Sequence, residues 1–153
     1  DCLNKAKELF FKQFNEYVDN YDVGGQSLIV HTNSDLAFSP DIIASAGIRY
    51  EPIKGLNINL LTKHVGDQFM DNTSTETRSL DEYTTVNLQV NYTIKDALFK
   101  EMTVGLLVNN IYNTMYENNG YTWGYISDGK RTVENFYYPQ AGRNFLVRVL
   151  LKF

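Results

Sequence analysis

Thr85-Val86-Asn87-Leu88-Gln89-Val90-Asn91-Tyr92-Thr93-Ile94-Lys95 is the stretch on which the fold turns. Val86, Leu88, Val90, Tyr92 and Ile94 alternate with Asn87, Gln89, Asn91, Thr93 and Lys95. A helix would scatter both sets around its circumference, whereas a strand places every apolar residue on one face and every polar residue on the other. The period therefore predicts a strand with one apolar face. The last residues repeat it: Phe145, Val147, Val149, Leu151 and Phe153 oppose Asn144, Leu146, Arg148, Leu150 and Lys152, which are mostly polar.

Three further segments follow the rule with less contrast. Ile42, Ala44, Ala46, Ile48 and Tyr50 oppose Ile43, Ser45, Gly47, Arg49 and Glu51. Leu56, Ile58 and Leu60 oppose Asn57 and Asn59, continuing to about Val65. Met102, Val104, Leu106 and Val108 oppose Thr103, Gly105, Leu107 and Asn109. Each strand is roughly 10 residues long, against a mode of about 5–6 in soluble sheets, and a tilted strand needs about 9–11 to cross a bilayer. The connections alternate between tight and long. Glu51 to Lys54, with Pro52 and the following Gly55, is a turn, as is Asp96 to Lys100. The stretches 66–84 and 112–142 are long, and connections of that kind are rare inside a compact soluble domain. Short turns on one side and long loops on the other are the rhythm of an outer-membrane barrel. A periplasmic C-terminus puts both tight turns on the periplasmic side.

Composition is compatible with this. The net charge of −4 and 21% charged residues disfavour both a basic nucleic-acid binder and a disordered chain. No run approaches the ~20 apolar residues of a membrane helix. The mean hydropathy of −0.33 does not argue against membrane strands, because their two faces cancel in the average. Cys2 is the single cysteine, so no disulfide forms within the chain. Its place near the start raises lipid modification, but nothing apolar precedes it and it reads as an incidental thiol. The chain carries no recognisable export signal, which suits a mature product or fragment as well as a protein that is not exported.

The first forty residues are ambiguous. Lys5 to Val18 spaces Ala6, Phe10, Phe14 and Val18 four apart, so a short amphipathic helix competes with a strand from about Leu9 to Tyr17. A strand there would make 19–40, with Gly24-Gly25 and Ser39-Pro40, a third long loop.

Two motifs carry a family resemblance. Leu107-Val108-Asn109-Asn110-Ile111-Tyr112-Asn113 is followed by Tyr116, and Tyr137-Tyr138-Pro139-Gln140-Ala141-Gly142-Arg143-Asn144-Phe145 leads to the terminal Phe153. With Glu16-Tyr17-Val18-Asp19-Asn20-Tyr21-Asp22 and Tyr50-Glu51-Pro52 before Lys54-Gly55-Leu56, residues 16–153 resemble the C-terminal barrel segment of TonB-dependent outer-membrane receptors of the Bacteroidota type. Residues 1–15 match less well. The resemblance implies an all-β fold: an antiparallel up-and-down meander of five to six long strands, part of a 22-stranded transmembrane barrel. It further implies a plug domain and a TonB-contacting segment in the N-terminal part of the intact receptor. Uptake of a scarce ligand (chelated iron, haem, a vitamin or a glycan) would then belong to that receptor and not to this segment alone. Implied partners are outer-membrane lipid, the remaining strands and plug, the outer-membrane assembly machinery, and TonB only through the N-terminal part. The alternation ending in Phe145, Val147, Val149, Leu151 and Phe153 resembles the signal by which that machinery recognises a last strand, and an exposed strand edge supplies a backbone mechanism.

Motifs for chemistry are scarce. No nucleophile elbow, phosphate-binding loop, zinc-protease motif or Cys/His cluster occurs, so neither an enzyme nor a cofactor is expected. His31 and His64 lack the spacing of a metal pair. Asp19, Asp22 and Asp35 lack the density of a calcium loop. Asn72-Thr73-Ser74 and Asn91-Tyr92-Thr93 match the glycosylation sequon, which carries no weight in a bacterial reading. Tyr50, Tyr92, Phe145 and Phe153 fall near strand ends, where amphipathic rings suit a membrane interface. Tyr121, Trp123, Tyr125 and Tyr138, with Tyr116, Phe136 and Tyr137, crowd one long loop as candidate ligand contacts, although packing of the loop on itself explains them equally well. The competing reading of the whole chain is a stand-alone soluble β-sandwich or β-barrel that binds a ligand.

Overall fold

The computed structural model describes residues 13–95 and 100–153. Eleven strands follow in chain order among the described residues: β1 (Gln13–Asn20), β2 (Gly25–Thr32), β3 (Ile43–Ile53), β4 (Leu56–Val65), β5 (Gln68–Phe69), β6 (Ser79–Leu80), β7 (Tyr83–Lys95), β8 (Glu101–Asn109), β9 (Glu117–Ser127), β10 (Lys130–Pro139) and β11 (Asn144–Lys152). One 3-10 turn, Glu76–Arg78, precedes β6. The fold is all-β, built almost entirely from antiparallel pairs. The chain divides into two compact units, one holding 13–41, 66–82 and 117–139, the other 42–65, 83–116 and 140–153.

The second unit is a five-stranded meander in the order β3-β4-β7-β8-β11. These are the five strands that the alternation predicts. Register brings their apolar residues into continuous rows. Ile48 pairs with Leu60, Leu60 with Leu88, Leu88 with Val108 and Val108 with Phe145. One step along, Tyr50, Ile58, Val90, Leu106 and Val147 form the next row. The opposite face carries Arg49, Asn59, Gln89, Asn57, Asn91 and Arg148, interrupted by Leu107 and Leu146. Because side chains alternate with period two, a slip of one residue would exchange the two faces completely, and the contrast between them fixes the register.

Val86 is buried and Leu88 and Val90 are half-buried beside their cross-strand neighbours. Ile48, Tyr50, Phe145, Val147 and Val149 remain more than half exposed. Val65 and Val86 are the buried apolar residues of this unit among those described, and most other side chains of the apolar rows are half-buried or exposed.

The tight turn between β3 and β4 has an identifiable cause. Gly55 adopts φ +88°, and a Cβ placed there would stand 2.4 Å from the Thr93 carbonyl oxygen. The same close approach lets Thr93 N–H donate to the Gly55 carbonyl at 2.9 Å, tying the turn to β7. Pro52 sits in the irregularity between the Tyr50–Ile58 and Ile53–Leu56 pairs of an edge strand, where its lack of an N–H breaks no ladder bond. Gly55→Val is expected to destabilise this sheet by about 2 kcal/mol or more through left-handed strain alone, before the clash with Thr93 is added. A denaturant midpoint equal to that of the unsubstituted chain would contradict this.

The other turn expected, Asp96 to Lys100, falls outside the described residues except for Lys100, as does the helix-or-strand question over 1–12.

The first unit collects the stretches read from sequence as long connections, and they carry strands of their own. Its sheet runs β10-β9-β1-β2. The strand expected over Leu9 to Tyr17 as a sixth member of the meander is described from Gln13 to Asn20 and belongs to this separate sheet. The β9–β10 hairpin closes on Asp128 and Gly129, at φ 53° and 68°, the two left-handed residues that a two-residue hairpin turn requires. β1 and β9 run parallel and pair only at Asp19–Tyr125 and Asn20–Ile126. Asp22 reinforces that short contact: its two carboxylate oxygens accept the Asp128 and Gly129 N–H groups at 2.7 and 2.8 Å. Val18, Met70 and Leu80 form the buried apolar centre of the unit.

Candidate functional site

Strand alternation assigns the two faces of the four-stranded sheet different chemistry. Tyr121, Trp123 and Tyr125 lie two apart on β9 and therefore share a face, and their cross-strand neighbours on β10 extend it. Tyr121 stacks on Phe136 with ring centroids 4.7 Å apart at 11° and meets Tyr138 at 6.2 Å. Trp123 lies 5.1 Å from Tyr125, which lies 5.7 Å from Tyr21. The four ring residues expected as ligand contacts, Tyr121, Trp123, Tyr125 and Tyr138, are thus brought onto one surface, exposed except for the half-buried Tyr125, and Tyr21 and Phe136 join them. Ring pairs of this kind hold one another in place and present area at low entropic cost.

The other face is polar at its centre. Glu16 accepts from Arg78 Nη1 at 2.8 Å, from Arg131 Nη2 at 2.5 Å and from His31 Nε2 at 2.8 Å. Arg78 also donates to Asp71 Oδ2 at 2.7 Å, and the other oxygen of Asp71 accepts the Thr73 N–H and hydroxyl. Burial on its own would raise the Glu16 carboxyl, but hydrogen bonds from Arg78 and His31, the Arg78 charge and the Arg131 hydrogen bond outweigh it and hold the group below its ordinary value. Burial likewise pulls Arg78 down, and Glu16 and Asp71 more than restore it, so its guanidinium is held above its ordinary value. Arg78 is 3% exposed. Buried charges persist where they are paired and hydrogen-bonded, and this cluster meets both conditions nearly completely.

A cleft of about 240 Å³ opens where β1 and β9 part beyond their two-residue contact. Tyr17, Asp19 and Trp123 line it on the aromatic side, and Arg78, Asp71 and Thr122 on the other. Behind that lining, Arg78 Nε and Thr122 Oγ1 are buried without a hydrogen bond among the described residues. Sequence reasoning did not find Glu16, Asp71, Arg78, Thr122 or Arg131, because no motif links residues 62 and 115 positions apart.

The five-stranded unit holds a second polar hollow, of about 280 Å³, lined by Asn87, Asn109, Asn110, Gln140 and Asn144. Asn110, at φ 52° and 4% exposed, organises it. Its Oδ1 accepts the Thr114 N–H at 2.9 Å, its Nδ2 donates to the carbonyls of Thr114 and Ala141, and its own N–H donates to Asn87 Oδ1. Asn113 Oδ1 accepts the Arg143 N–H at 2.8 Å, and a Cβ on Gly142 would stand 2.6 Å from that same oxygen. The two motifs that carry the family resemblance therefore meet residue on residue.

Phe145, Val147, Val149 and Leu151 lie on β11, an edge strand, on the apolar face, and Phe153 follows its end. His31 is engaged with Glu16, and His64 Nδ1 lies 2.9 Å from Thr84 Oγ1. Asp19 accepts from Gln26, Asp22 from the β9–β10 turn and Asp35 from Ser74, three separate tasks. Asn91 lies on the polar face of β7, and Asn72 accepts the Ala37 N–H at 2.6 Å. No protein-family model matches the chain, and no curated protein or solved structure matches it.

Proposed function

We propose that this chain is the C-terminal part of a transmembrane β-barrel in the outer membrane, belonging to a receptor for TonB-energised uptake of a scarce ligand. The observation that carries the reading is the apolar face of the five-stranded sheet, half-buried to exposed along most of its rows. Its strands run 11, 10, 13, 9 and 9 residues, the length that spans a bilayer at a tilt. A soluble sheet buries its apolar face against a second layer, whereas a membrane strand turns that face to lipid and its polar face to the lumen. The two strands at the sheet's ends, β3 and β11, would pair with the other strands of a 22-stranded barrel. An open edge in hydrocarbon leaves backbone groups unsatisfied, so closure by further strands is part of the reading.

In this reading the C-terminus is periplasmic, the long connections are extracellular, and their aromatic surface meets the ligand. No catalytic step is involved. Transport needs the plug and the TonB contact of the intact receptor, and the β11 alternation ending at Phe153 serves recognition by the assembly machinery.

The test is a labelling pattern. With Cys2→Ser as background, a fluorophore is attached to single cysteines at Arg49, Tyr50, Gln89, Val90, Asn91, Val104, Arg148 and Val149, and the chain is reconstituted in lipid vesicles carrying a lipid-borne quencher, at a protein density that lets copies pair through the β3 and β11 edges. Quenching is expected at Tyr50, Val90, Val104 and Val149 and not at the four polar-face positions. A chain that stays out of the vesicles with the apolar positions shielded would replace this reading with a soluble β-protein.

A further inference from the structure

We propose that Asn119 is a site of spontaneous covalent modification: the Gly120 nitrogen attacks its side-chain amide, ammonia leaves, and the ring so formed opens to aspartate or isoaspartate at position 119. Three observations lead there. First, the reacting groups already touch. The Gly120 N–H donates to the side-chain Oδ1 of Asn119 at 2.8 Å. A carbonyl bond is about 1.23 Å long, so the Cγ to be attacked lies within about 4 Å of that nitrogen whatever the angle. Holding two reacting groups in near-contact removes much of the entropic part of a barrier.

Second, the strand is irregular at this point. Glu117 pairs with Pro139 and Gly120 with Tyr137, so β9 carries one residue more than β10 between the two pairs. A bulge of this kind disrupts the ladder locally and re-aims side chains. Asn119 is exposed, which gives base and water access to its amide. Third, packing demands the glycine. A Cβ at position 120 would stand 2.7 Å from Met70 Sδ and 2.8 Å from the Phe136 carbonyl oxygen. Glycine also leaves the attacking nitrogen unhindered, so the residue that lets β9 pack is the one that favours the reaction. Asn119-Gly120 is the only Asn-Gly step in the chain. The related Asp128-Gly129 step is arranged differently, because the Gly129 N–H donates to Asp22 Oδ2 at 2.8 Å.

Water is the only co-reactant consumed. Hydroxide takes the Gly120 amide proton, the N–Cγ bond forms, and the Cγ–Nδ2 bond breaks as nitrogen departs with a proton as ammonia. Water then opens the five-membered imide at either carbonyl. Breaking the new N–Cγ bond gives aspartate. Breaking the original peptide bond gives isoaspartate, whose main chain runs through Cβ and Cγ and is one atom longer. Both products add a negative charge, and the second also displaces the backbone next to Tyr121, which stacks on Phe136. The aromatic surface therefore changes slowly with age, whether or not the other sheet meets lipid.

The full chain, folded in dodecylphosphocholine micelles or unfolded in urea, is incubated at neutral and mildly alkaline pH. It is then digested and read by mass spectrometry with electron-transfer fragmentation, which separates aspartate from isoaspartate. A gain of about 1 Da is expected at Asn119, as a mixture of both products and faster at the higher pH. It should run about tenfold or more ahead of every other asparagine, and no slower in the folded chain than in urea. Asn119→Gln, whose longer side chain would have to close a six-membered ring, should remove the signal and leave the circular dichroism unchanged, since the position is exposed. Another asparagine converting first, or a signal that persists in Asn119→Gln, would overturn the assignment. So would conversion about tenfold slower in the folded chain than in urea, because the fold would then protect the step that it is proposed to promote.

Discussion

Glu16→Ala is expected to cost the four-stranded unit about 2–3 kcal/mol, less than the full penalty for orphaning a buried charge because Arg78 keeps Asp71 as its counter-charge. Two guanidinium groups lose an acceptor at once, and Arg78 is only 3% exposed. The Lys95–Glu101 pair at 3.8 Å is the internal comparison: Lys95 is 68% exposed, so Lys95→Ala should change stability by less than about 1 kcal/mol. Glu16→Gln keeps the shape and one acceptor oxygen, and is expected to fall between the two.

Acid should act in the same direction. The folded Glu16 carboxyl lies below its ordinary value of 4.5, so the ionised group stabilises the fold fully above that value, and the contribution is lost as pH falls through the lower folded value. Hydrogen exchange of β1 and β9 amides followed from pH 6 downward should show protection declining below about 4.5, with a shallower decline in Glu16→Gln. Equal slopes in the two proteins would mean that Glu16 does not govern the acid response.

The parts of this fold that were legible in sequence are those with local causes. The five strands of the meander announce themselves because each carries its own two-residue period, and the β3–β4 turn because Pro52 and Gly55 mark one. The β9–β10 hairpin was also written locally, in Asp128-Gly129 between runs where Tyr121, Trp123 and Tyr125 alternate with Gly120, Thr122 and Gly124. In sequence the 112–142 stretch nonetheless reads as a long loop, because Gly120 and Gly124 weaken the alternation. Its rings stand out in the sequence all the same, and they share a surface.

The Glu16 cluster was not legible. In β1 the charge of Glu16 shares a face with the apolar Val18, which reads as a broken pattern until Arg78 and Arg131 arrive from distant positions. Over Lys5 to Val18 helix and strand compete because Ala6, Phe10, Phe14 and Val18 fall four apart, and the charge of Glu16 beside Val18 does nothing to favour the strand.

Asn110→Ala is expected to destabilise the five-stranded unit by about 3–4 kcal/mol, from lost hydrogen bonds, an orphaned Thr114 N–H and alanine held at a left-handed φ. Asn110→Gly separates these causes. Glycine accepts φ 52° without strain but supplies none of the side-chain bonds, so it should recover only the conformational part, about 1 kcal/mol. Asn110→Asp retains the acceptor for Thr114 N–H and loses the donors to the Thr114 and Ala141 carbonyls, and should also fall short of the parent.

The residues that Asn110 holds, Thr114 and Ala141, flank in sequence the segment that carries β9, β10 and their aromatic surface. Exchange protection at Thr114 should therefore fall with each substitution in the order Gly, then Ala. If Asn110→Gly matched the parent in both stability and protection, the asparagine would be present for its backbone conformation alone. The meeting of the two motifs at Asn110, Asn113 and Gly142 would then be a consequence of the turn and not its cause.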